Sequence, residues 1–281
     1  MQSVSKLAGL QIGPGHPVRI MAVVNVSPES FYKGSVHTRA DELARTVDLM
    51  CADGADIIDV GAMSSAPYLR TQIPESEEGQ RLEWAVKIVK RTTHLPISID
   101  SMRSGPAQQA LAAGGHIIND ISGFQDPAMP EVARRAQGVV LMAHPTGHRG
   151  KASADPMQHI KKILAASLSK AKTAGIGRQK IILDPGIGFF RNMKLDWWQW
   201  DLKVLRELEE LKFFKVPFLV GISRKSFIGK LLGGKKAEER LYGSLGATIS
   251  AVLKGASVIR THDVGPTRES IRIAEAIEGS N

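Results

Sequence analysis

Short apolar runs rich in β-branched residues recur along the chain and alternate with segments of helical periodicity. The runs span residues 18–26, 56–61, 95–100, 116–122, 138–144, 180–186, 217–223 and 257–264. Each run is almost continuously hydrophobic, as in parallel strands that are covered on both faces. The segments between them, such as RADELARTVDLMCAD and MQHIKKILAASLSKAKTAG, have apolar residues at helical spacing. Eight strand–helix units therefore constrain the chain to an α/β fold built on a parallel sheet.

The number of these units predicts a single (β/α)8 barrel, the TIM barrel fold. The chain has 281 residues, and a barrel of this type takes about 250. A doubly wound sheet is the alternative, but no strand-like run is followed by the Gly-x-Gly-x-x-Gly phosphate loop of that fold. No linker rich in Pro, Gly or Ser divides the chain. Residues 1–281 are predicted to form one domain with its core at about 19–278.

The composition excludes several classes of protein. Lys and Arg number 37 against 28 Asp and Glu, a formal charge of +9, but they form no basic tract, zinc-finger spacing or aromatic–basic repeat, so no nucleic-acid partner is expected. An excess of this size is typical of a solvated surface or of attraction for small anionic substrates. No apolar run reaches the ~20 residues that cross a bilayer, and the N-terminus lacks the features of a secretory signal. With Cys51 as the only cysteine, we expect a cytoplasmic protein with no membrane partner.

The apolar runs end in polar residues. In a barrel of this type, the active site lies at the carboxyl ends of the strands. The polar residues are Asn25, Asp59, Asp100, Asn119, His144, Asp184, the segment Ser223–Arg224–Lys225 and the segment Arg260–Thr261–His262–Asp263. One such residue is as readily a cap for loop backbone. The whole set is better explained by a polar mouth with anionic and cationic sectors.

The anionic sector suits a flat heterocycle. Asp100, Asn119 and Asp184 offer acceptor oxygens and one amide that also donates. Such a set matches the adjacent N–H donors of an aminopyrimidinone ring. Met142 and Phe189 supply apolar surface for the faces of that ring.

The cationic sector suits a phosphate or pyrophosphate. Arg260 and His262 alternate along one strand, so both side chains can point the same way, and the arginine can form a forked contact. Lys225 lies just past the seventh strand, among loops that commonly bind phosphate in this fold.

Seven segments together resemble the dihydropteroate synthase family, the pterin-condensing enzymes of folate synthesis. They are VVNVSPESF (23–31), GADIIDVG (54–61), ISID (97–100), IINDISG (117–123), DPGIGF (184–189), SRKSFIG (223–229) and IRTHDV (259–264), and they occur in the family's order. DPGIGF followed by SRKSFIG is the most specific part, since many barrels contain something similar to GADIID. The resemblance extends from about Met21 to Val264.

The resemblance implies a transferase that condenses 6-hydroxymethyl-7,8-dihydropterin diphosphate with p-aminobenzoate or a related arylamine and releases pyrophosphate. It implies that Asn25 helps to hold Mg²⁺ and the pyrophosphate. The pterin ring would be held by Asp100, Asn119, Asp184 and Lys225, with Met142 and Phe189 packed nearby. Arg260 and His262 would bind the pyrophosphate, and Ser223 and Ser65 would face the arylamine.

The implied catalytic residues are Asp100, Lys225, Arg260 and His262. Mg²⁺, Arg260 and His262 would stabilise the charge that builds on the leaving group, while Asp100 would stabilise positive charge on the ring. No nucleophilic side chain is needed. The resemblance also implies a homodimer formed through helices late in the barrel.

Two loops depart from the family's pattern. After the second strand the family usually has Gly-Glu-Ser-Thr-Arg-Pro, whereas this chain reads GAMSSAP (61–67), which keeps a hydroxyl at Ser65 but has Ala66 in place of the arginine. In the first loop, Glu29 and Lys33 stand where aspartates are usual. These loops normally close over the arylamine and the pyrophosphate. The second substrate therefore stays open between p-aminobenzoate and a ribofuranosyl-aminobenzene phosphate, the arylamine of methanopterin-type pathways.

Two further functions would use the same pterin pocket. A pterin-dependent methyltransferase, which transfers a methyl group to a corrinoid protein, would not need the pyrophosphate residues Arg260, His262 and Lys225. A non-catalytic pterin-binding protein could have kept the pocket while its loops changed. Release of pyrophosphate on turnover distinguishes both from a synthase.

Overall fold

A short antiparallel hairpin precedes eight parallel strands that alternate with helices. The computed structural model describes residues 3–27, 39–63, 73–145, 155–191, 193 and 195–279. The hairpin strands are β1 (Ser5–Leu7) and β2 (Leu10–Ile12). The parallel strands are β3 (Arg19–Asn25), β4 (Ile57–Gly61), β5 (Ile97–Asp100), β6 (Ile117–Asp120), β7 (Gly138–Met142), β8 (Ile181–Asp184), β9 (Leu219–Gly221) and β10 (Val258–Thr261). Each of these eight lies within one of the predicted apolar runs.

Helices connect the parallel strands and cover the outside of the sheet. They are α1 (Ala40–Ala52), α2 (Glu75–Thr92), α3 (Ser104–Ala113), α4 (Met129–Arg134), α5 (Pro156–Thr173), α6 (Trp197–Arg206), α7 (Ser226–Leu231), α8 (Leu241–Leu253) and α9 (Val264–Ile277). Short 3-10 helices span Arg178–Lys180, Leu208–Phe214 and Ala237–Glu239. Within the described ranges, none of the helices is long and apolar enough to cross a membrane.

The strand order is that of a TIM barrel, as predicted. The sheet runs β8-β7-β6-β5-β4-β3-β10-β9, all parallel, and each neighbouring pair shares three to five paired positions. The two ends of the sheet, β8 and β9, meet at a single bridge between Leu183 and Phe218. There the Leu183 N–H donates to the carbonyl of Pro217 at 3.0 Å. We call the junction between β8 and β9 the seam.

Alternation along the strands sorts side chains between the helix layer and the barrel interior. Ile58 and Val60, for example, pack outward in the large core that includes Leu82 and Val86 of α2. The intervening residues point inward. At the amino-terminal end of the barrel they form a separate apolar cluster of Met21, Ile57, Ile117, Val140, Ile182, Leu219 and Val258, together with Leu7 and Ile12.

The hairpin therefore closes the end of the barrel opposite the strand carboxyl ends. Leu7 and Ile12 are fully buried, and Gly138 leaves the space that Leu7 fills, because a Cβ on Gly138 would lie 2.6 Å from Leu7 Cγ. This hairpin was not predicted from the sequence. The predicted core begins at about residue 19 and therefore omits Leu7 and Ile12.

Candidate active site

Along the strands, the barrel interior changes from apolar to polar between one inward-facing residue and the next. Four inward-facing polar residues each lie two positions after a member of the inner apolar cluster, so the pleat turns them to the same side. They are Asp59, Asn119, Asp184 and Arg260. Asp100, at the end of β5, is paired in register with Asn119 of β6 and Gly61 of β4.

Arg260 joins two carboxylates across the interior. Its Nε donates to Asp59 Oδ2 at 2.7 Å, and its Nη2 donates to Asp100 Oδ2 at 2.6 Å. Asn119 Nδ2 lies 3.3 Å from both oxygens of Asp59. Burial opposes the charge of the guanidinium, but Asp59 and Asp100 hold the pKa of Arg260 above its usual value. The arginine therefore remains charged within the barrel.

Asp59 is a site residue whose role was not predicted from the sequence. It is fully buried and supplies one of the two carboxylates that balance Arg260. Its position two residues after Ile57 is the signal that it faces inward, but spacing along one strand does not show which distant cation it meets. The predicted role of Arg260 in binding pyrophosphate stays a prediction, since in this structure two of its nitrogens bond to carboxylates.

Two carboxyl groups of the site have pKa values close to neutral pH. Burial raises the pKa of Asp100 to about 7, although Arg260 lowers it. Burial also raises the pKa of Asp184 to about 6, against the hydrogen bond from the Gly186 N–H. Both groups can therefore accept hydrogen bonds from ring N–H groups and exchange protons near physiological pH.

The turn after β8 is shaped by two glycines. Asp184 Oδ1 accepts from the Gly186 N–H at 2.7 Å, and Gly186 has a φ of +72°, where a Cβ would lie 2.1 Å from the Ala143 carbonyl oxygen. The tight turn places Phe189 against His144, with ring centroids 5.6 Å apart in an edge-to-face arrangement. Met142 pairs with Asp184 across β7 and β8, so the structure brings together the predicted pterin residues of this side.

Lys225 reaches the same turn from across the seam. Its Nζ lies 4.5 Å from the centroid of the Phe189 ring, a cation–π distance, and its Cδ would be 2.9 Å from a Cβ on Gly188. Burial and Arg260 lower the pKa of Lys225 to about 8, while Asp184 and Asp201 act to raise it. The lysine is therefore mostly protonated at neutral pH, and the negative charge of Asp184 favours that state.

His262 and Ser223 form a pair next to this cluster. Their Nδ1 and Oγ atoms are 3.0 Å apart, and the His262 N–H also donates to Ser223 Oγ at 3.3 Å. Burial, together with the charges of Arg260, Lys225 and Arg224, lowers the pKa of His262 to about 3. The imidazole is neutral at physiological pH, so it can offer an N–H donor to an anion without carrying a charge of its own.

The described residues include no group of three or more His, Cys, Asp or Glu side chains that could hold a metal ion. Asn25 ends β3, and its Oδ1 would be 3.2 Å from a Cβ on Gly61, where Asp100 Oδ2 would be at 3.6 Å. A single amide oxygen fits Mg²⁺, because that ion usually keeps several waters and binds substrate phosphates rather than an all-protein cage. Asn25 is thus suitable as one protein ligand of a Mg²⁺ ion.

The two atypical loops carry the remaining predicted residue, Ser65, and the departures from the family's pattern. Ser65 and Ala66 in the loop after β4, and Glu29 and Lys33 in the loop after β3, lie outside the residues that the structure describes. The other predicted residues all lie at or next to the carboxyl ends of the strands.

Comparison with known proteins identifies the family. A model of the family described as pterin binding enzymes matches residues 21–262. The dihydropteroate synthase of Escherichia coli K12 is 33% identical over 273 residues, which cover 95% of this chain and 94% of that protein. The chain belongs to the dihydropteroate synthase family. The predicted transferase of the dihydropteroate synthase type is thereby confirmed.

Solved structures of the family agree in fold over nearly the whole chain. A dihydropteroate synthase from Coxiella burnetii in complex with pteroic acid has a TM-score of 0.87 at 32% identity and covers 99% of both chains. The dihydropteroate synthase of Xanthomonas albilineans with 4-aminobenzoic acid has a TM-score of 0.86 at 29% identity, again over 99% of both chains. These similarities confirm the predicted barrel.

Proposed function

We propose that this protein condenses 6-hydroxymethyl-7,8-dihydropterin diphosphate with p-aminobenzoate or a related arylamine and releases pyrophosphate. The observation that carries the proposal is the buried array at the barrel mouth, in which Lys225 lies over Phe189 of the turn that begins at Asp184, beside the Arg260–Asp100 pair. Its family relatives bind pteroic acid, the pterin–aminobenzoate conjugate, in one case and 4-aminobenzoic acid in another.

In the proposed complex, acceptor groups of the protein meet the donors of the pterin ring, and donor groups of the protein meet its acceptors. Asp184 accepts from ring N–H groups, and Asn119 both donates and accepts. Lys225 donates to a ring acceptor, with its ammonium kept in place over Phe189. Because these side chains are buried, a mismatched ring would leave polar groups unpaired, which makes the pocket selective.

The leaving pyrophosphate is received by the neighbouring donors. His262 and Ser223 adjoin the Arg260–Lys225 cations, and an anion bound there would raise the pKa of the imidazole by supplying an opposite charge. Asn25 and the pyrophosphate oxygens would hold Mg²⁺, which supplies Lewis-acid stabilisation of the negative charge when it is bound. Asp100 stabilises positive charge that develops on the ring.

The identity of the arylamine is the finer part of the proposal. Ala66 removes a cation that could meet a free p-aminobenzoate carboxylate, and Lys33 adds one in the opposite loop. The smaller side chain and the relocated charge suit a longer arylamine with its own anionic group. We therefore propose a ribofuranosyl-aminobenzene phosphate as the alternative second substrate.

The proposed assembly is a homodimer of cytoplasmic single-domain chains. Exposed apolar side chains near α7 and α8, namely Leu231, Leu232, Tyr242 and Leu253, support an interface through the late helices, since such side chains cluster at protein contacts. Measurement of the molecular mass in solution tests this assembly.

The reaction is tested by incubating the protein with the pterin diphosphate, Mg²⁺ and a set of arylamines, followed by product identification by mass. Formation of a pterin–arylamine conjugate with one equivalent of pyrophosphate is expected. Binding of the pterin without any product would indicate a non-catalytic pterin-binding protein instead. Direct competition between p-aminobenzoate and the ribosylated phosphate, with Lys33→Ala beside the native chain, decides the second substrate.

The pyrophosphate residues are tested by His262→Ala. This variant should bind the pyrophosphorylated pterin more weakly, while its affinity for the plain hydroxymethyl pterin should change little. An equal loss for both ligands would show that His262 supports the fold of the pocket rather than the leaving group. His262 is a cleaner test than Arg260, because removing Arg260 also leaves Asp59 buried without its cation.

A further inference from the structure

A second buried carboxylate contacts the turn after β8 from the helix layer. Asp201, in the middle of α6, is 1% exposed, and its Oδ1 accepts from the Gly188 N–H at 2.8 Å. Its Oδ2 is also buried and has no hydrogen-bond partner among the residues that the structure describes. A buried carboxylate that uses half of its bonding capacity is costly. Its presence calls for a reason beyond packing.

Gly188 links Asp201 to Lys225. A Cβ on Gly188 would lie 2.9 Å from Lys225 Cδ and 3.4 Å from its Nζ, so the lysine side chain packs directly on this glycine. The ammonium then lies over the ring of the next residue, Phe189. The backbone N–H that Asp201 fixes therefore belongs to the residue on which Lys225 rests.

The charged groups near Asp201 and Lys225 come from several elements. Asp184 ends β8, Arg191 follows the turn, and Arg260 lies on β10. From α5, the centroid of the His159 ring lies 5.8 Å from that of Trp200, the residue before Asp201. Burial, Arg260 and Arg191 lower the pKa of Lys225, whereas Asp184 and Asp201 raise it. Burial raises the pKa of Asp201 to about 6, against Gly188, Lys225 and Arg191. At neutral pH Asp201 is thus mostly anionic.

We propose that Asp201 is a positioning residue for pterin recognition, which holds the turn through the Gly188 N–H and places a negative charge behind the side chain of Lys225 that packs on Gly188. The inference rests on the proposed function, since it takes Lys225 as a donor to the pterin. In the proposed complex Asp184 accepts from both the ring N–H groups and the Gly186 N–H. Asp201 supplies the additional negative charge from behind the turn.

Two variants separate the two parts of this role. Asp201→Asn keeps the shape and an acceptor oxygen for the Gly188 N–H but removes the charge, while Asp201→Ala removes both. Asp196→Asn is the matched control, because Asp196 is an exposed aspartate at the start of the same helix and its side chain makes no cap hydrogen bond. Thermal unfolding of each variant verifies that the chain is folded.

The first readout does not depend on catalysis. The side-chain resonances of Lys225, assigned with Lys225→Arg, are followed by NMR as a function of pH. Asp201→Asn should lower the pKa of Lys225 by about one unit, the shift expected from losing one nearby opposite charge, and Asp196→Asn should leave it unchanged. An unchanged Lys225 pKa in Asp201→Asn would overturn the electrostatic role.

The second readout is the affinity for the plain hydroxymethyl pterin, measured by calorimetry across pH 6 to 9. In Asp201→Asn the loss of affinity on the alkaline side should move to lower pH by the same amount as the Lys225 titration. Asp201→Ala should bind roughly tenfold more weakly than Asp201→Asn at neutral pH, because the turn loses its anchor. Equal affinity of the two variants would overturn the turn-holding role. Absence of pterin binding by the native chain would refute the proposed function. The NMR titration would still decide whether Asp201 acts on Lys225.

Discussion

At the scale of the residue, the role proposed for Asp184 is to accept hydrogen bonds from the ring N–H groups of the pterin. Replacing Asp184 by Asn puts an N–H₂ group where a ring N–H should be accepted, and a buried mismatch of this kind costs about 1–3 kcal/mol. Asp184→Asn should therefore bind the hydroxymethyl pterin roughly 5- to 150-fold more weakly, as measured by calorimetry. Asp48→Asn, on the exposed face of α1, is the control. Native affinity in Asp184→Asn would show that the ring binds in another orientation.

The pKa values of the site predict a bell-shaped pH dependence of pterin binding. Asp184 has its pKa raised to about 6, so affinity should fall as pH drops below that value and the carboxyl gains a proton. Lys225 has its pKa lowered to about 8, so affinity should also fall above that value as the donor loses its charge. His262, with a pKa lowered to about 3, should not contribute to either limb in the free protein.

A variant is needed to assign the fall of affinity at low pH, because the pKa of Asp100 is raised to about 7, close to that of Asp184. Calorimetric titrations at several pH values should show this fall reduced in Asp184→Asn, with the contribution of Asp100 remaining. Affinity that is constant from about pH 5 to 8 would contradict the assigned groups.

At the scale of the element, the turn after β8 depends on a glycine that no other residue can replace. Gly186→Ala would introduce a Cβ 2.1 Å from the Ala143 carbonyl oxygen at a φ of +72°, so the turn must move. Gly233→Ala is a matched control, since Gly233 has a φ of +75° but nothing within 4 Å of its Cβ position. Thermal unfolding should show lower stability in both variants, and the control should lose about 1–2 kcal/mol from backbone strain alone. Calorimetry measures pterin binding by each variant. Only Gly186→Ala should also lose pterin binding.

The strands show which elements can be predicted from this sequence and which cannot. All eight barrel strands were predictable, because each lies in a short, almost continuously apolar run, as in strands covered on both faces, and these runs alternate with segments of helical periodicity. The hairpin β1–β2 was missed, because its three-residue strands are too short to show a periodic pattern and they become buried only where the hairpin meets the end of the barrel. For the site, the identity of the strand-end residues was predictable. The partnership of Asp59 with Arg260 was not, since it joins residues 201 positions apart.

At the scale of the whole molecule, the hairpin stabilises the fold at the end of the barrel that is opposite the site. Leu7 is fully buried in the apolar cluster at the end of the barrel opposite the site. Leu7→Ala should lower the free energy of unfolding by about 2–5 kcal/mol, the usual cost of a buried leucine. The affinity of the folded protein for pterin should be unchanged. Leu10→Ala, at a half-buried position of the same hairpin, should cost less in denaturant unfolding. A loss of pterin affinity in Leu7→Ala would mean that the two ends of the barrel are coupled.

The seam between β8 and β9 has a consequence for how the folded barrel fluctuates. Seven of the eight strand junctions are closed by regular backbone ladders, whereas this one has a single bridge. Asp184 and Lys225 stand on its two sides, so a pterin that contacts both spans the junction. Amide hydrogens of Leu183 and β9 should exchange with solvent fastest among the barrel strands in the free protein, and should slow when pterin binds. The substrate then supplies, across the seam, the cross-link that backbone hydrogen bonds supply everywhere else around the barrel.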